Sequence, residues 1–173
     1  MNMFSFSAFW LSISVAFASV FMLRVSQKAK KEINKTFEVS QTTLTPVLTQ
    51  DVAGIEQEQF FSVFNQQTLL GYAYIGVAPS KTDTFEYLVV FDVDFKVKKT
   101  KVLVYKEDYG GEIGSKRWLK QFLNKTPEDR FAYRQNIAAI SGATISVKSM
   151  TEAMNNLMIS LASWRNNGEP FKS

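Results

Sequence analysis

Near the end of the chain, apolar residues recur at three- and four-residue steps, a spacing typical of one face of an α-helix. The stripe consists of Val147, Met150, Met154, Leu157, Leu161 and Trp164. Ser149 and Glu152 have the spacing of a capping box, which places the start of the regular helix between Ser146 and Met150. The pattern therefore predicts an amphipathic helix in the last part of the chain.

Between residues 69 and 105, stretches rich in Val, Tyr, Phe and Ile alternate with polar turns, which is typical of short strands. The predicted strands cover residues 69–77, 87–93 and 101–105. Residues 78–83, with Pro79, predict a hairpin loop, residues 94–99 a second turn, and residues 116–124 a short helix. We therefore expect an α+β domain, a twisted antiparallel sheet with helices packed against it.

The first 23 residues carry no charged side chain. A helix over residues 3–23 would span about 30 Å, the thickness of the hydrocarbon core of a bilayer. No Lys or Arg precedes this run, so we expect one retained N-terminal transmembrane helix rather than a cleaved signal peptide. Small residues line one stripe of it, Ser5, Ala8, Ser12, Ala16 and Ser19. The stripe is either a contact with partner subunits or an accident of composition.

Positive charge is concentrated directly after this run. Residues 24–35 hold five basic residues against one acid, which gives +4, and the whole chain is also +4. A nucleic-acid-binding protein would carry its excess on the folded domain. We interpret residues 24–59 as a juxtamembrane basic stalk and linker that meets anionic lipid head groups, and residues 60–173 as the folded domain. The positive-inside tendency alone would place this segment in the cytoplasm.

The sequence contains neither Cys nor His. Without Cys there are no disulfides, iron–sulfur clusters or thiolate chemistry. Without His, the commonest general base and the commonest transition-metal ligand are missing. We predict no catalytic residue and no metal site, and any electrons that the protein handles must be carried by a bound organic cofactor.

Four small residues, Ser141, Gly142, Ala143 and Thr144, precede the predicted C-terminal helix. Free backbone N–H groups and the helix dipole favour an anion at such a helix N-terminus. Gly142 and Ala143 would let a phosphate approach the backbone, and Thr144 adds a hydroxyl group. The same residue types are also ordinary turn and cap residues, so local chemistry leaves both interpretations open.

Residues 141–146 read Ser-Gly-Ala-Thr-Ile-Ser, which resembles the attachment motif of the FMN-binding domain family. That family includes covalent flavoprotein subunits of the sodium-translocating NADH:quinone reductase and of the Rnf electron-transport complex. In those proteins the Thr of the motif carries FMN through a phosphoester, which a dedicated flavin transferase installs. The resemblance therefore implies covalent FMN as the cofactor and Thr144 as the attachment residue.

The resemblance extends to residues 106–114, which are similar to the family's Glu-Thr-Pro-Gly-Leu-Gly loop, with Glu107 and Gly110 at matching places. Trp118, Gln121 and Phe122 follow at the family's spacing. Ala138, however, stands where the family usually has Asp, and residues 108–109 replace its Thr-Pro pair. The candidate cofactor-binding residues are Thr144, Ser141, Gly142, Ala143, Ile145, Ser146, Glu107, Tyr109, Gly110, Gly111, Trp118 and Lys148.

Several of these roles remain alternatives. Trp118 or Tyr109 stacks on the isoalloxazine ring, or serves the core or a turn. Lys148 offsets the phosphate charge, or is a solvated helix lysine. Glu107 shapes the loop, or contacts a ribityl hydroxyl. The backbone amides of residues 145–148 would cradle the phosphate.

The resemblance implies a membrane-anchored electron-transfer subunit, not a stand-alone enzyme, that relays electrons within a membrane redox complex. It implies a single-pass protein of the bacterial inner membrane whose soluble domain faces the periplasm, where the transferase works. The expected partners are that transferase and other membrane subunits, which would contact the small-residue stripe. A flavin-free assembly subunit that keeps the fold is the alternative, favoured by Ala138 and by the altered loop at residues 108–109. A solute-binding or sensor domain is a third.

Overall fold

The structure, a computed structural model, describes residues 25–47 and 59–166. Five antiparallel strands form one sheet in the order β1-β2-β3-β4-β5. The strands are β1 (Thr43–Pro46), β2 (Phe60–Asn65), β3 (Thr68–Pro79), β4 (Thr84–Phe91) and β5 (Val97–Val104). The helices are α1 (Gln27–Thr36), α2 (Lys116–Leu119) and α3 (Thr144–Asn166), with 3-10 turns at Gly111–Gly114 and Lys120–Phe122. The α+β prediction is confirmed.

The predicted transmembrane helix at residues 3–23 and its small-residue stripe lie outside the described residues. Within residues 25–47 and 59–166, no helix is both long enough and apolar enough to cross a bilayer.

Each strand pairs with its sequence neighbour, and short turns join β2 to β3, β3 to β4 and β4 to β5. In the β3–β4 pair, for example, Tyr74 lies opposite Val89. Helices cover both faces of the sheet, and β4 is consequently buried along most of its length. Its Phe85, Tyr87 and Val89 belong to the core under α3, whereas its Leu88 and Val90 belong to the core under α1. The alternation follows the two-residue period of a strand.

The amphipathic C-terminal helix is present as α3, and its predicted apolar stripe is buried. The predicted start between Ser146 and Met150 is wrong, because α3 begins at Thr144. The Val147 N–H donates to Ala143 O at 2.9 Å, so the first helical hydrogen bond closes earlier than expected. The Ser149 hydroxyl does not cap the helix. It donates to backbone oxygens of Pro79 and Ser146 instead.

The first described segment is part of the folded unit. In α1, Ala29 and Ile33 are fully buried in the core on the second face of the sheet, and β1 pairs with β2. The Lys28 ammonium group donates to Leu103 O on β5. The folded unit thus takes in residues 27–46, which the sequence assigned to a stalk and linker.

Candidate cofactor site

Two motifs that are far apart in the sequence lie against each other at the N-terminus of α3. Gly110 has φ = 80° and Gly142 has φ = 77°, both in the left-handed region that favours glycine. A Cβ atom built on Gly110 would lie 2.4 Å from the Cβ of Ala143, so only glycine permits this approach. The loop at residues 106–114 and the residues 141–146 therefore form one site.

Tyr105, directly after β5, connects the two motifs. Its hydroxyl donates to Tyr109 O at 3.2 Å and lies 3.2 Å from Ser146 Oγ in the first turn of α3. Its ring packs edge-on against Phe85, with 5.9 Å between the ring centroids. Tyr105 was not among the residues predicted from the sequence. The available signal was its place as the last residue of a predicted strand, directly before the loop.

A pocket of about 370 Å³ opens where these elements meet. It is lined by Lys81, Tyr105, Glu107, Tyr109, Gly142, Ala143, Thr144, Ile145 and Ser146. Thr144 is exposed, Ile145 is 50% exposed and Tyr109 is 80% exposed. The pocket thus offers an aromatic ring, an apolar side chain and an alcohol hydroxyl to a ligand.

The first turn of α3 adds hydrogen-bond donors to this pocket. The Ala143 carbonyl oxygen accepts the first helical hydrogen bond, from Val147 N–H. The amides of Thr144, Ile145 and Ser146 precede that bond, so they have no acceptor inside the helix. Amides in this position, with the positive end of the helix dipole, bind phosphate and other anions. The Thr144 hydroxyl therefore stands at a place suited to a phosphate group.

Glu107 shapes the neighbouring β3–β4 loop. Its carboxylate accepts hydrogen bonds from Ser80 Oγ at 2.6 Å, from the Thr82 N–H at 2.7 Å and from Thr82 Oγ1 at 2.9 Å. A longer bond of 3.3 Å comes from the Asp83 N–H. The Ser80 hydroxyl, followed by the Thr82 amide, lowers the pKa of Glu107 from 4.5 to about 2. Glu107 thus shapes the loop as a hydrogen-bond acceptor, and it binds the residues before and after Lys81.

Trp118 lies apart from the pocket. It is buried beside Phe122, with 5.5 Å between ring centroids, and its indole N–H donates to Ala138 O at 2.8 Å. The Ala138 N–H donates to Gln121 Oε1 at 2.7 Å. The two side chains therefore fix the backbone of Ala138, which precedes the Ser141 turn. The core role left open for Trp118 is the one that these contacts favour.

The other predicted residues do not line the pocket either. Lys148 lies one helical turn after Thr144, and its ammonium group is 5.5 Å from the centre of the Tyr133 ring. Arg134 approaches the same ring at 5.3 Å. Ser141, Gly110 and Gly111 are sequence neighbours of lining residues, and Gly111 opens the 3-10 turn. Lys81 and Tyr105 line the pocket, and neither was predicted from the sequence.

Fold and site together define a class: an α+β domain in which a helix N-terminus, an exposed Thr and an aromatic loop form a pocket suited to a phosphate-bearing cofactor. Residues 81–158 match the family model of the FMN-binding domain. Residues 81–158 are therefore similar to an FMN-binding domain, and every residue that lines the pocket falls within the match. No curated protein matches the chain. The match supports FMN as the cofactor class and suggests a general role in flavin binding and electron transfer.

Proposed function

We propose that this chain is a membrane-anchored electron-transfer subunit that carries FMN through a phosphoester on Thr144 and relays electrons within a membrane redox complex. One observation carries the proposal. Thr144 is the exposed first residue of α3 and lines the pocket of the FMN-binding domain, beside amides that have no acceptor within the helix. An ester at this position would prevent the cofactor from diffusing away when its redox state changes.

The residues present fit the cofactor. The amides of Ile145 and Ser146 and the dipole of α3 favour the phosphate charge, and the side chains of Ile145 and Tyr109 offer apolar surface to the ring system. Gly142 has φ = 77°, a left-handed conformation that glycine adopts without strain, and this turn leads directly to Thr144. When bound, FMN supplies the redox chemistry that this chain's side chains lack.

Attachment requires a separate enzyme, because an alcohol is a poor nucleophile without an adjacent base. The carboxylate of Glu107 lies in the same pocket, but it already accepts hydrogen bonds from Ser80, Thr82 and Asp83. We infer a flavin transferase that uses FAD as donor. The bond between Thr144 Oγ1 and phosphorus forms, the pyrophosphate bond of FAD breaks, AMP leaves, and the hydroxyl proton is released.

Membrane anchorage is supported by the sequence around α1. The uncharged run at residues 3–23 ends shortly before α1 begins at Gln27. A transmembrane helix there would hold the domain close to the lipid head groups, next to the basic residues of α1. We propose a single pass through a bacterial inner membrane, a periplasmic domain, and contact of the small-residue stripe with other subunits of the complex.

The test is expression of the full chain with a flavin transferase, followed by intact mass and flavin fluorescence of the denatured band. We expect one esterified FMN in the wild type, none in Thr144→Ala, and full attachment in Thr68→Ala, which removes another exposed Thr from the far end of β3. A fluorescent Thr144→Ala band would overturn the attachment site.

A flavin-free assembly subunit is the second candidate, and the Ala138 position favours it. That residue stands where the family usually has Asp, so the chain lacks a carboxylate directly before the attachment turn. This function predicts an intact mass equal to that of the polypeptide alone, even when the transferase is present. The same mass measurement therefore decides between the two candidates.

A further inference from the structure

Two charged side chains, Lys81 and Glu107, line the pocket, and they differ in whether other groups of the protein already bind them. The carboxylate of Glu107 is occupied by hydrogen bonds from the β3–β4 loop. The acid next in that loop, Asp83, pairs with Lys106 at 3.1 Å. Among the residues that the structure describes, no carboxylate forms an ion pair with Lys81. Lys81 is therefore the charge in the pocket that remains available to a ligand.

The backbone on both sides of Lys81 is held in place. Glu107 binds Ser80 before it and Thr82 after it, and the Ser80 N–H donates to Asp83 O at 2.8 Å, which closes the loop. A carboxylate that accepts this many hydrogen bonds within one loop restrains the loop strongly. The long side chain of Lys81 therefore starts from a fixed point at the edge of the pocket.

The loop is also attached to α3, the helix that carries Thr144. The Ser149 hydroxyl donates to Pro79 O, the residue that ends β3. Ser149 and Ile145 are four residues apart, so they lie on the same face of α3. The loop with Lys81 thus adjoins the face of α3 that presents Ile145 to the pocket. Lys81 and the attachment residue belong to one connected framework.

A positive charge in this place has a physical consequence for a flavin. The isoalloxazine ring gains negative charge on reduction, and a nearby cation stabilises the reduced form more than the oxidised form. The phosphate on Thr144 has the amides of α3 as partners, and its charge is the same before and after electron transfer. The charge on the ring changes on reduction and the charge on the phosphate does not. A cation in the pocket therefore affects the reduction potential through its interaction with the ring.

We propose that Lys81 sets the reduction potential of the bound FMN: its ammonium group stabilises the negative charge that the ring acquires on reduction. The inference rests on the proposed function, because it needs FMN attached in this pocket. Lys81 acts here as a tuning residue, and the loop built by Glu107 positions it. Since the pocket is open to solvent, salt weakens the effect.

The test compares full-length wild type, Lys81→Gln and Lys81→Arg, each co-expressed with a flavin transferase. Lys98→Gln is the matched control: it removes the same charge from an exposed site near the start of β5, about 20 Å along the strand from Tyr105. Intact mass gives the flavin load, and spectroelectrochemical titration of the loaded protein gives the midpoint potential. We expect a lower potential for Lys81→Gln, a nearly wild-type value for Lys81→Arg, and no change for Lys98→Gln.

Raising the ionic strength should bring the potentials of wild type and Lys81→Gln closer together. A loaded Lys81→Gln protein with the same potential as Lys98→Gln would overturn the role of Lys81 and leave FMN attachment intact. A wild type that carries no FMN would instead overturn the proposed function, and the inference with it. The mass measurement separates these two failures.

Discussion

Under α3 the sheet carries a connected cluster of aromatic rings, whereas under α1 it carries mostly aliphatic side chains. Phe60 stacks on Tyr72 with 5.6 Å between centroids, Tyr72 stacks on Phe95 at 4.6 Å, and Trp164 meets Phe60 edge-on at 5.7 Å. The α1 face is built from Val25, Ala29, Ile33, Phe61, Val63, Ala73, Leu88, Val90 and Leu103. Large rings bury more apolar area and fix relative orientation.

The difference is consistent with the placement of the proposed cofactor site on α3. Trp164 anchors the last turns of that helix in the ring cluster, and the contact between Gly110 and Ala143 anchors its first turn. A helix held at both ends presents Thr144 in a defined place. The α1 helix, held by Ala29 and Ile33, covers the second face and takes no part in the pocket. Substitutions on the two faces should therefore have different effects on stability and on FMN attachment.

The largest loss of stability is expected from a substitution on the α3 face of the sheet. Trp164→Ala removes a buried indole that contacts Phe60, Tyr72 and Phe95, so the free energy of unfolding should fall by about 3–5 kcal/mol. Ile159→Ala is the matched control on the same helix, because Ile159 is 50% exposed, and its cost should stay within about 0.5 kcal/mol. Denaturant unfolding of the full chain in detergent measures both. Equal losses would contradict the proposed anchoring of α3.

The next largest effect, on both stability and FMN attachment, is expected where the loop at residues 106–114 contacts residues 141–146. Gly110→Ala forces a side chain into the left-handed region and onto Ala143, which should cost about 1–3 kcal/mol. It should also lower covalent FMN attachment, because the loop must move away from α3. Gly111→Ala is the control, since a Cβ atom there meets nothing within 4 Å. The prediction fails if both variants attach FMN equally well in a co-expression assay.

Much of this fold could be predicted from the periodicity of the sequence. The predicted strands at residues 69–77, 87–93 and 101–105 correspond to β3, β4 and β5, and the α3 stripe is buried as expected. β2 was missed because both faces of the strand are covered and most of its residues are buried. Its sequence therefore shows no alternation of apolar and polar residues. β1 was missed because it is short and contains Pro46, and proline in a strand is confined to edges.

The site was only partly predictable, because the pocket depends on tertiary contacts. The turn at residues 141–144 and the Gly110 loop could be selected by resemblance, and the structure brings them together. Lys81 and Tyr105 could not be selected in this way, since neither belongs to a recognisable motif. The β3–β4 loop places Lys81 at the pocket, and the end of β5 places Tyr105 there. The start of α3 was misplaced because Ser149 has the spacing of a cap, yet its hydroxyl binds Pro79 O.

A smaller effect is expected on the α1 face. Ile33→Val removes one methylene from a fully buried side chain, which should cost about 0.5–1.5 kcal/mol of unfolding free energy. Covalent FMN attachment, measured by intact mass, should not change, because α1 packs on the face opposite to the pocket. A stability loss as predicted together with a clear loss of attached FMN would show that the two faces are coupled.

The smallest effect is a local pH dependence at the β3–β4 loop. Hydrogen bonds from Ser80 and Thr82 lower the pKa of Glu107 from 4.5 to about 2. Because the pKa is lower in the folded loop than in the unfolded chain, the stabilisation is complete above pH 4.5 and is lost as the pH falls toward 2. The amide resonance of Thr82, which donates to Glu107, should therefore shift with a midpoint near pH 2 in an NMR titration. Glu107→Gln should abolish that transition, since the amide side chain does not titrate. A wild-type midpoint near 4.5 would mean that the carboxylate does not hold the loop, and that the loop does not fix Lys81.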